Sequence, residues 1–178
     1  MLYEMIFAGF GGQGVLSMGK LMAYAAMKEG KEVSWMPSYG PEMRGGTANC
    51  IVNISDQAIS SPVVNAYDVG VVLNLPSLKK FEGKIKKGGI LIWESSTIKE
   101  PPTRTDISVY ALPAIDKSTV ELGNVKVMNM IILGALTKLI NIVAPETLLT
   151  ALAETLPKRH HDLIPLNHKA IDLGMSLV

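Results

Sequence analysis

The sequence predicts an α/β fold: a three-layer α/β/α single domain with a mixed central sheet and a Rossmann-like start. Three observations carry this. Short apolar runs alternate with segments of helical periodicity. A glycine-rich turn joins the first apolar run to the first helix. The second and third runs follow one another with too few residues between them for a crossover helix, which makes them antiparallel neighbours.

Taken in order, Tyr3–Ala8 reads as the first strand and stops at glycines. Val15–Glu29 reads as a helix, with Val15, Leu16, Met18, Met22, Ala26 and Met27 at helical spacing and Gly30 placed as its C-terminal stop. Glu32–Met36 is a second strand, and Ser38–Gly46 a loop punctuated by glycine and proline. Thr47–Ile54 alternates, with Ala48, Cys50, Val52 and Ile54 on one face, and reads as a half-covered strand. Val69–Leu73, Gly89–Trp93 and Ile107–Leu112 are further strands, with a short helix at Pro76–Phe81 and another at Pro113–Leu122. Val125–Asn141, Pro145–Leu156 and a segment near Leu166–Leu173 form a helical tail.

The length of 178 residues suits one domain spanning 1–178. Seventeen basic residues against sixteen acidic ones leave a formal charge of +1, so nothing steers the chain toward nucleic acid or anionic lipid. Cys50 is the one cysteine, which excludes an intrachain disulfide, a Cys₄ zinc site and an iron–sulfur cluster ligated by this chain alone. The most apolar stretch, Val127–Thr137, is too short for a membrane span and reads as a buried helix. With a single cysteine a cytoplasmic location is expected, and the start reads without a basic leader or cleavage signature.

Two loops stand out. Gly9-Phe10-Gly11-Gly12-Gln13-Gly14 links the first strand to the first helix, whose leading N–H groups form a ready site for an anion or a partner's polar loop. Its spacing satisfies G-x-G-x-x-G, but the second strand carries no acid at its end for a ribose, and Val15 stands where a Walker lysine belongs. A bound nucleotide or phosphate and a structural or interface use both remain open for it. The second loop, Pro37-Ser38-Tyr39-Gly40-Pro41-Glu42-Met43-Arg44-Gly45-Gly46, carries an aromatic, two opposite charges and three glycines. Arg44 is suited to bidentate contact with a carboxylate or phosphate, and Glu42 to pairing with it or with a partner's N–H groups; a solvated surface turn is the plain alternative.

Other residues are plainer. Cys50 reads as a buried thiol, and His160 and His161 as part of a basic surface turn. Lys79, Lys80, Lys84, Lys86 and Lys87 read as a solvated face, with an acidic partner surface or the phosphates of a ligand as the alternative. Trp35 and Trp93 are candidate core or interface anchors.

The pair of loops, with 24 residues from Gly14 to Ser38, resembles the gamma chain of the thiamine-dependent 2-oxoacid:ferredoxin oxidoreductases. The likeness is greatest to the 2-oxoglutarate and 2-oxoisovalerate types. Val127–Asn129 through Leu136 is similar to a later helix of that family, and Asn129 to its helix asparagine. The resemblance implies a subunit of an enzyme that converts a 2-oxoacid to acyl-CoA and CO₂ and reduces ferredoxin, with 2-oxoglutarate the favoured substrate. It implies that alpha and beta subunits, and in some complexes a delta subunit, supply thiamine diphosphate, Mg²⁺ and the iron–sulfur clusters. This chain would bind no cofactor by itself and would stand on the assembly or coenzyme A side. The residues expected to face a cofactor or an interface are Gly9, Gly11, Gly12, Gln13, Gly14, Ser38, Tyr39, Gly40, Pro41, Glu42, Arg44, Gly45, Gly46 and Asn129. No catalytic residue, metal ligand, nucleic acid or membrane partner is expected. The competing reading is a stand-alone nucleotide- or coenzyme A-binding module.

Overall fold

The computed structural model describes residues 1–40 and 46–178. Six strands form one mixed sheet: β1 (Leu2–Phe10), β2 (Glu32–Tyr39), β3 (Thr47–Ser55), β4 (Tyr67–Val72), β5 (Ile85–Glu94) and β6 (Ser108–Leu112). They lie in the order β2-β3-β1-β4-β5-β6. From β1 to β6 the pairing is parallel, whereas β3 runs antiparallel to both of its neighbours. The mixed sheet is therefore as expected. The Rossmann-like start is present as the order β1, glycine loop, α1, β2; β1 and β2 share a direction but are not neighbours, because β3 lies between them.

The helices are α1 (Val15–Lys28), α2 (Leu75–Phe81), α3 (Ala114–Val120), α4 (Met128–Ile140), α5 (Pro145–Thr155) and α6 (Ile164–Ser176). The two outer layers are unequal. Met5, Phe7, Cys50 and Val52 pack with α1, α4, α5 and α6 into the larger core. Ile6, Ala8, Ile51 and Trp93 meet α2 and the loop residue Ile98 in the smaller one. Burying these side chains is the main favourable term for such a fold, at about 1.5–3 kcal/mol for each large one. The expected Val125–Asn141 helix is divided: a 3₁₀ turn over Val125–Val127, started by Asn124 Oδ1 accepting from Lys126 N at 3.0 Å, precedes α4. Among the described residues no helix is long and apolar enough to cross a membrane.

Two strand expectations change. β2 continues through Pro37, so Ser38 and Tyr39 belong to the strand and not to the loop. A proline is tolerated there because β2 is an edge strand, with one side free of ladder bonds. β3 is covered on both faces from Cys50 onward, not on one. The alternating pattern misleads because Asn53 is buried with its Nδ2 engaged, donating to Ser34 Oγ at 3.1 Å and to Pro62 O at 3.2 Å, while its Oδ1 has no partner among the described residues.

The lysine stretch is not one solvated face. Lys86 bridges Glu4 Oε2 at 2.6 Å and Asp68 Oδ1 at 2.9 Å, tying β5 to β1 and to β4. Lys79 pairs with Glu100, and Lys80 lies over the Phe81 ring. Trp93 is buried, whereas Trp35 is partly exposed on the edge strand.

Candidate functional site

The C-terminal ends of β1, β4, β5 and β6 share one edge of the sheet, with the end of β2 and the start of β3. The chain leaves β1 toward β2 on one side and enters β4 on the other, so the β1/β4 boundary is the crevice where open α/β sheets bind ligands. Here a side chain of the glycine loop itself bridges it. Gln13 Oε1 accepts from Phe10 N at 2.6 Å, and Gln13 Nε2 donates to Leu73 O at 3.2 Å, just beyond β4. Gly9 makes room for this amide. A Cβ there would meet Gln13 Oε1 at 2.7 Å and Leu73 Cβ at 2.9 Å. The first glycine of the motif thus admits a side chain of its own loop.

Gly14 has φ of 78° and serves as the N-cap of α1 with no side-chain cap, which leaves the leading N–H groups of the helix open. The Asn129 side chain lies against it. A Cβ on Gly14 would collide with the Asn129 amide, with Cγ at 3.0 Å and Cβ at 3.1 Å. Asn129 Oδ1 is buried and without a hydrogen-bond partner among the described residues. The first turn of α4 therefore backs the glycine loop.

The two glycine loops also meet. Gly11 N donates to Gly46 O at 2.9 Å, and Phe10 pairs with Thr47 at the ends of β1 and β3. A cleft of about 260 Å³ opens beside this junction, lined by Phe10, Gly12, Tyr39, Thr47 and the first turn of α1. Tyr39 is 55% exposed and Phe10 37%, so two aromatics stand at its margin. On the other side of the loop a second cleft of about 460 Å³ is lined by Gly12, Gln13, Gly14, Ile115, Lys126 and Asn129. Such surroundings, an open helix N-terminus with glycines, aromatics and one lysine, suit an anionic group carrying a flat or apolar portion, or a partner's loop. Of the expected site residues, Gly9, Gly11, Gly12, Gln13, Gly14, Tyr39, Gly46 and Asn129 come together here. Ser38 precedes Tyr39 on β2, and Gly40 follows it. Pro41, Glu42, Arg44 and Gly45 lie outside the described residues.

Sequence reasoning missed Lys20, Lys126 and Glu94. The two lysines belong to no motif: Lys20 lies within α1 and Lys126 in the 3₁₀ turn before α4. Glu94, fully buried at the end of β5, receives the N–H groups of Ser96 (3.2 Å), Thr97 (2.9 Å) and Ile115 (3.2 Å) and the hydroxyl of Thr97 (2.7 Å). Burial pushes its carboxyl up, but these hydrogen bonds together hold it below the ordinary glutamate value. An acid directly after an apolar strand and before Ser-Ser-Thr was the available signal.

Among the described residues the donor set does not fit a metal ion or an iron–sulfur cluster. Cys50 is buried against Val15 O, and burial pushes its thiol up to about 12, far from a metal-binding thiolate. No group of three His, Cys, Asp or Glu residues converges among the described residues. His160 and His161 sit on an exposed 3₁₀ turn, Lys158–Leu163.

Comparison with known proteins bears on the family and the fold. The chain is 36% identical over 162 residues to the 2-oxoglutarate synthase subunit KorC of Methanocaldococcus jannaschii, covering 89% of this chain and 86% of that one. It is 42% identical over 132 residues to the ketoisovalerate oxidoreductase subunit VorA of Methanothermobacter marburgensis, covering 74% of this chain but only 27% of VorA. The chain therefore spans about a quarter of the length of that relative. Among solved structures, the gamma subunit of a keto/oxoacid ferredoxin oxidoreductase from Geobacter sulfurreducens matches with a TM-score of 0.82 at 30% identity, over 98% of this chain and 96% of that one. A 2-oxoglutarate:ferredoxin oxidoreductase from Magnetococcus marinus, with 2-oxoglutarate, coenzyme A and succinyl-CoA bound, matches with a TM-score of 0.88 at 26% identity, over 99% of this chain and 31% of that one. The family model for pyruvate ferredoxin/flavodoxin oxidoreductase matches residues 4–177. With nearly its whole length matched, its fold shared with a gamma subunit and its two glycine loops joined at one sheet edge, the chain belongs to the pyruvate ferredoxin/flavodoxin oxidoreductase family.

Proposed function

We propose that this chain is the gamma subunit of a cytoplasmic, heteromeric 2-oxoacid:ferredoxin oxidoreductase, placed on its assembly and coenzyme A side, with 2-oxoglutarate as the favoured substrate. The observation that carries the reading is the joined pair of glycine loops, Gly11 N to Gly46 O, on a chain that matches the family over 4–177. Carbanion and redox chemistry belongs to thiamine diphosphate and the iron–sulfur clusters, which this reading assigns to the alpha, beta and, where present, delta subunits. This chain's own residues contribute placement. Gln13 holds the loop shut over the β1/β4 crevice, and Gly14 and Asn129 fix the entry to α1. The uncapped first turn of α1 then offers its N–H groups to an anionic portion of coenzyme A or to a partner's loop.

Branched-chain 2-oxoacids form the second reading, favoured by the 42% identity to VorA. Native purification decides between them. The complex is isolated through this chain, the accompanying chains are identified by mass spectrometry, and ferredoxin reduction is assayed with 2-oxoglutarate, 2-oxoisovalerate and pyruvate. The expected result is co-purification of a thiamine-binding chain and turnover that requires coenzyme A, fastest with 2-oxoglutarate. Recovery of this chain alone, with no 2-oxoacid-dependent reduction in any fraction containing it, would sink the proposal.

A further inference from the structure

A third cleft, of about 480 Å³, lies between α1, the start of α4, the end of α5 and α6. Its floor is apolar: Leu21, Val127, Met130 and Leu152 are all at most 5% exposed. Its rim is cationic. Lys20 and Lys126 are exposed there, with His160 beside them, and no acidic residue lines the cleft among the described residues. Neither lysine forms an ion pair among the described residues. Glu154, adjacent in sequence to the lining residue Thr155, is committed elsewhere: it accepts from Tyr24 Oη at 3.0 Å and from Lys28 Nζ at 2.9 Å. In a chain of formal charge +1, this is a local, uncompensated positive rim around an apolar floor.

We propose that this cleft receives an acidic segment with apolar side chains from a partner subunit of the complex. The inference rests on the reading of the chain as a subunit. An apolar floor inside a polar rim is the layout of a protein interface, in which the floor supplies buried contact and the rim charges select the partner and speed its approach. A phosphate-binding site would instead converge several donors on one point. Here the cations stand at the exposed rim, and the one polar side chain in the buried lining, Asn167, is turned to its own helix, donating to Leu163 O at 2.9 Å. The position also couples the segment to the glycine loop. Lys126 and Asn129 line both this cleft and the one against Gly12–Gly14, and Ser17 lines both this cleft and the one beside Tyr39. A segment docked here would brace the turn that backs Gly14.

The test uses the whole complex purified through this chain. Lys20→Glu and Lys126→Glu together should leave the melting temperature of the chain unchanged and weaken its association by about tenfold to a hundredfold, with the loss largest at low salt. The double arginine variant should assemble like the parent. A photo-cross-linking residue at Thr155, an exposed lining position, should attach to a partner peptide rich in Asp or Glu, located by mass spectrometry of the cross-linked product. Unchanged affinity of the charge-reversed chain overturns the proposal, and so does a cross-link to a partner surface without acidic residues. Intact assembly with a raised KM for coenzyme A overturns it in favour of a small anion. If the parent chain recovers no partner at all, the subunit reading fails and takes this inference with it.

Discussion

Asn129 fills the space in which a side chain at Gly14 would stand. This one contact joins the entry of α1 to the entry of α4 across more than a hundred residues of sequence, and it makes Gly14 irreplaceable on two counts. Its φ of 78° is costly for any residue with a Cβ, and the Asn129 amide occupies the position such an atom needs.

Gly14→Ala should therefore destabilise the chain by about 2–4 kcal/mol, combining left-handed strain with steric conflict. Asn129→Ala in the same chain removes the colliding amide but not the strain, so the double variant should recover part of the loss and not all of it. Chemical denaturation of the four proteins of this cycle measures both parts. Full additivity would show that the contact is energetically silent.

Gln13 makes a second, independent prediction. Gln13→Ala strips a partner from both Phe10 N and Leu73 O, at a cost of about 1–3 kcal/mol where water cannot replace it. Gln13→Glu keeps the acceptor for Phe10 but sets a carboxylate oxygen against the Leu73 carbonyl. Amide hydrogen exchange at Phe10 should accelerate in the alanine variant and stay slow in the glutamate variant. Equal protection in both would mean that the loop is held by something other than this amide.

The Glu94 carboxylate gives the fold a pH dependence of definite sign. Its native pKa is held below the ordinary glutamate value of about 4.3, so the unfolded chain binds the proton more readily. Its contribution is complete above that range and is lost as pH falls toward the native value. Stability measured from pH 7 down to pH 3 should fall less steeply at the acid end in Glu94→Gln than in the parent, while the variant is weaker throughout at neutral pH. A variant whose acid limb has the parent's slope would remove Glu94 from the account.

Cys50 should be inert in the native chain. With its thiol pushed up to about 12 by burial, a disulfide reagent at pH 8 should label it only on the time scale of global opening, and at once in denaturant. Rapid labelling of the folded chain would contradict the packing of β3 under α1.

Much of this arrangement was legible beforehand. The strand and helix succession follows from hydrophobic period, and the mixed sheet follows from the short β2–β3 link, because a parallel neighbour needs a long crossover. The family likeness grouped Asn129 with Gly9–Gly14 as candidate site residues, but the contact of Asn129 with Gly14 was not legible. What escaped was set by tertiary partners. Asn53 reads as an outward polar residue until Ser34 and Pro62 accept from its Nδ2 in the interior. Gln13 reads as a loop side chain with no fixed role until Leu73, 60 positions later, offers its carbonyl. Ser38 and Tyr39 follow a proline, which argues for a strand end unless the strand is known to be an edge.

The antiparallel β3 acts as a ruler for the glycine loops. Phe10 stands opposite Thr47 because the whole ladder from Leu2↔Ser55 upward is in step, and Gly11 reaches Gly46 only in that alignment. Side chains alternate with a period of two, so a slip of one residue would turn Cys50 and Val52 away from α1 and carry Gly46 out of reach of Gly11 at the same stroke. Misalignment is thus punished in the core and at the loop junction together, and every molecule that folds brings its two loops to the same separation.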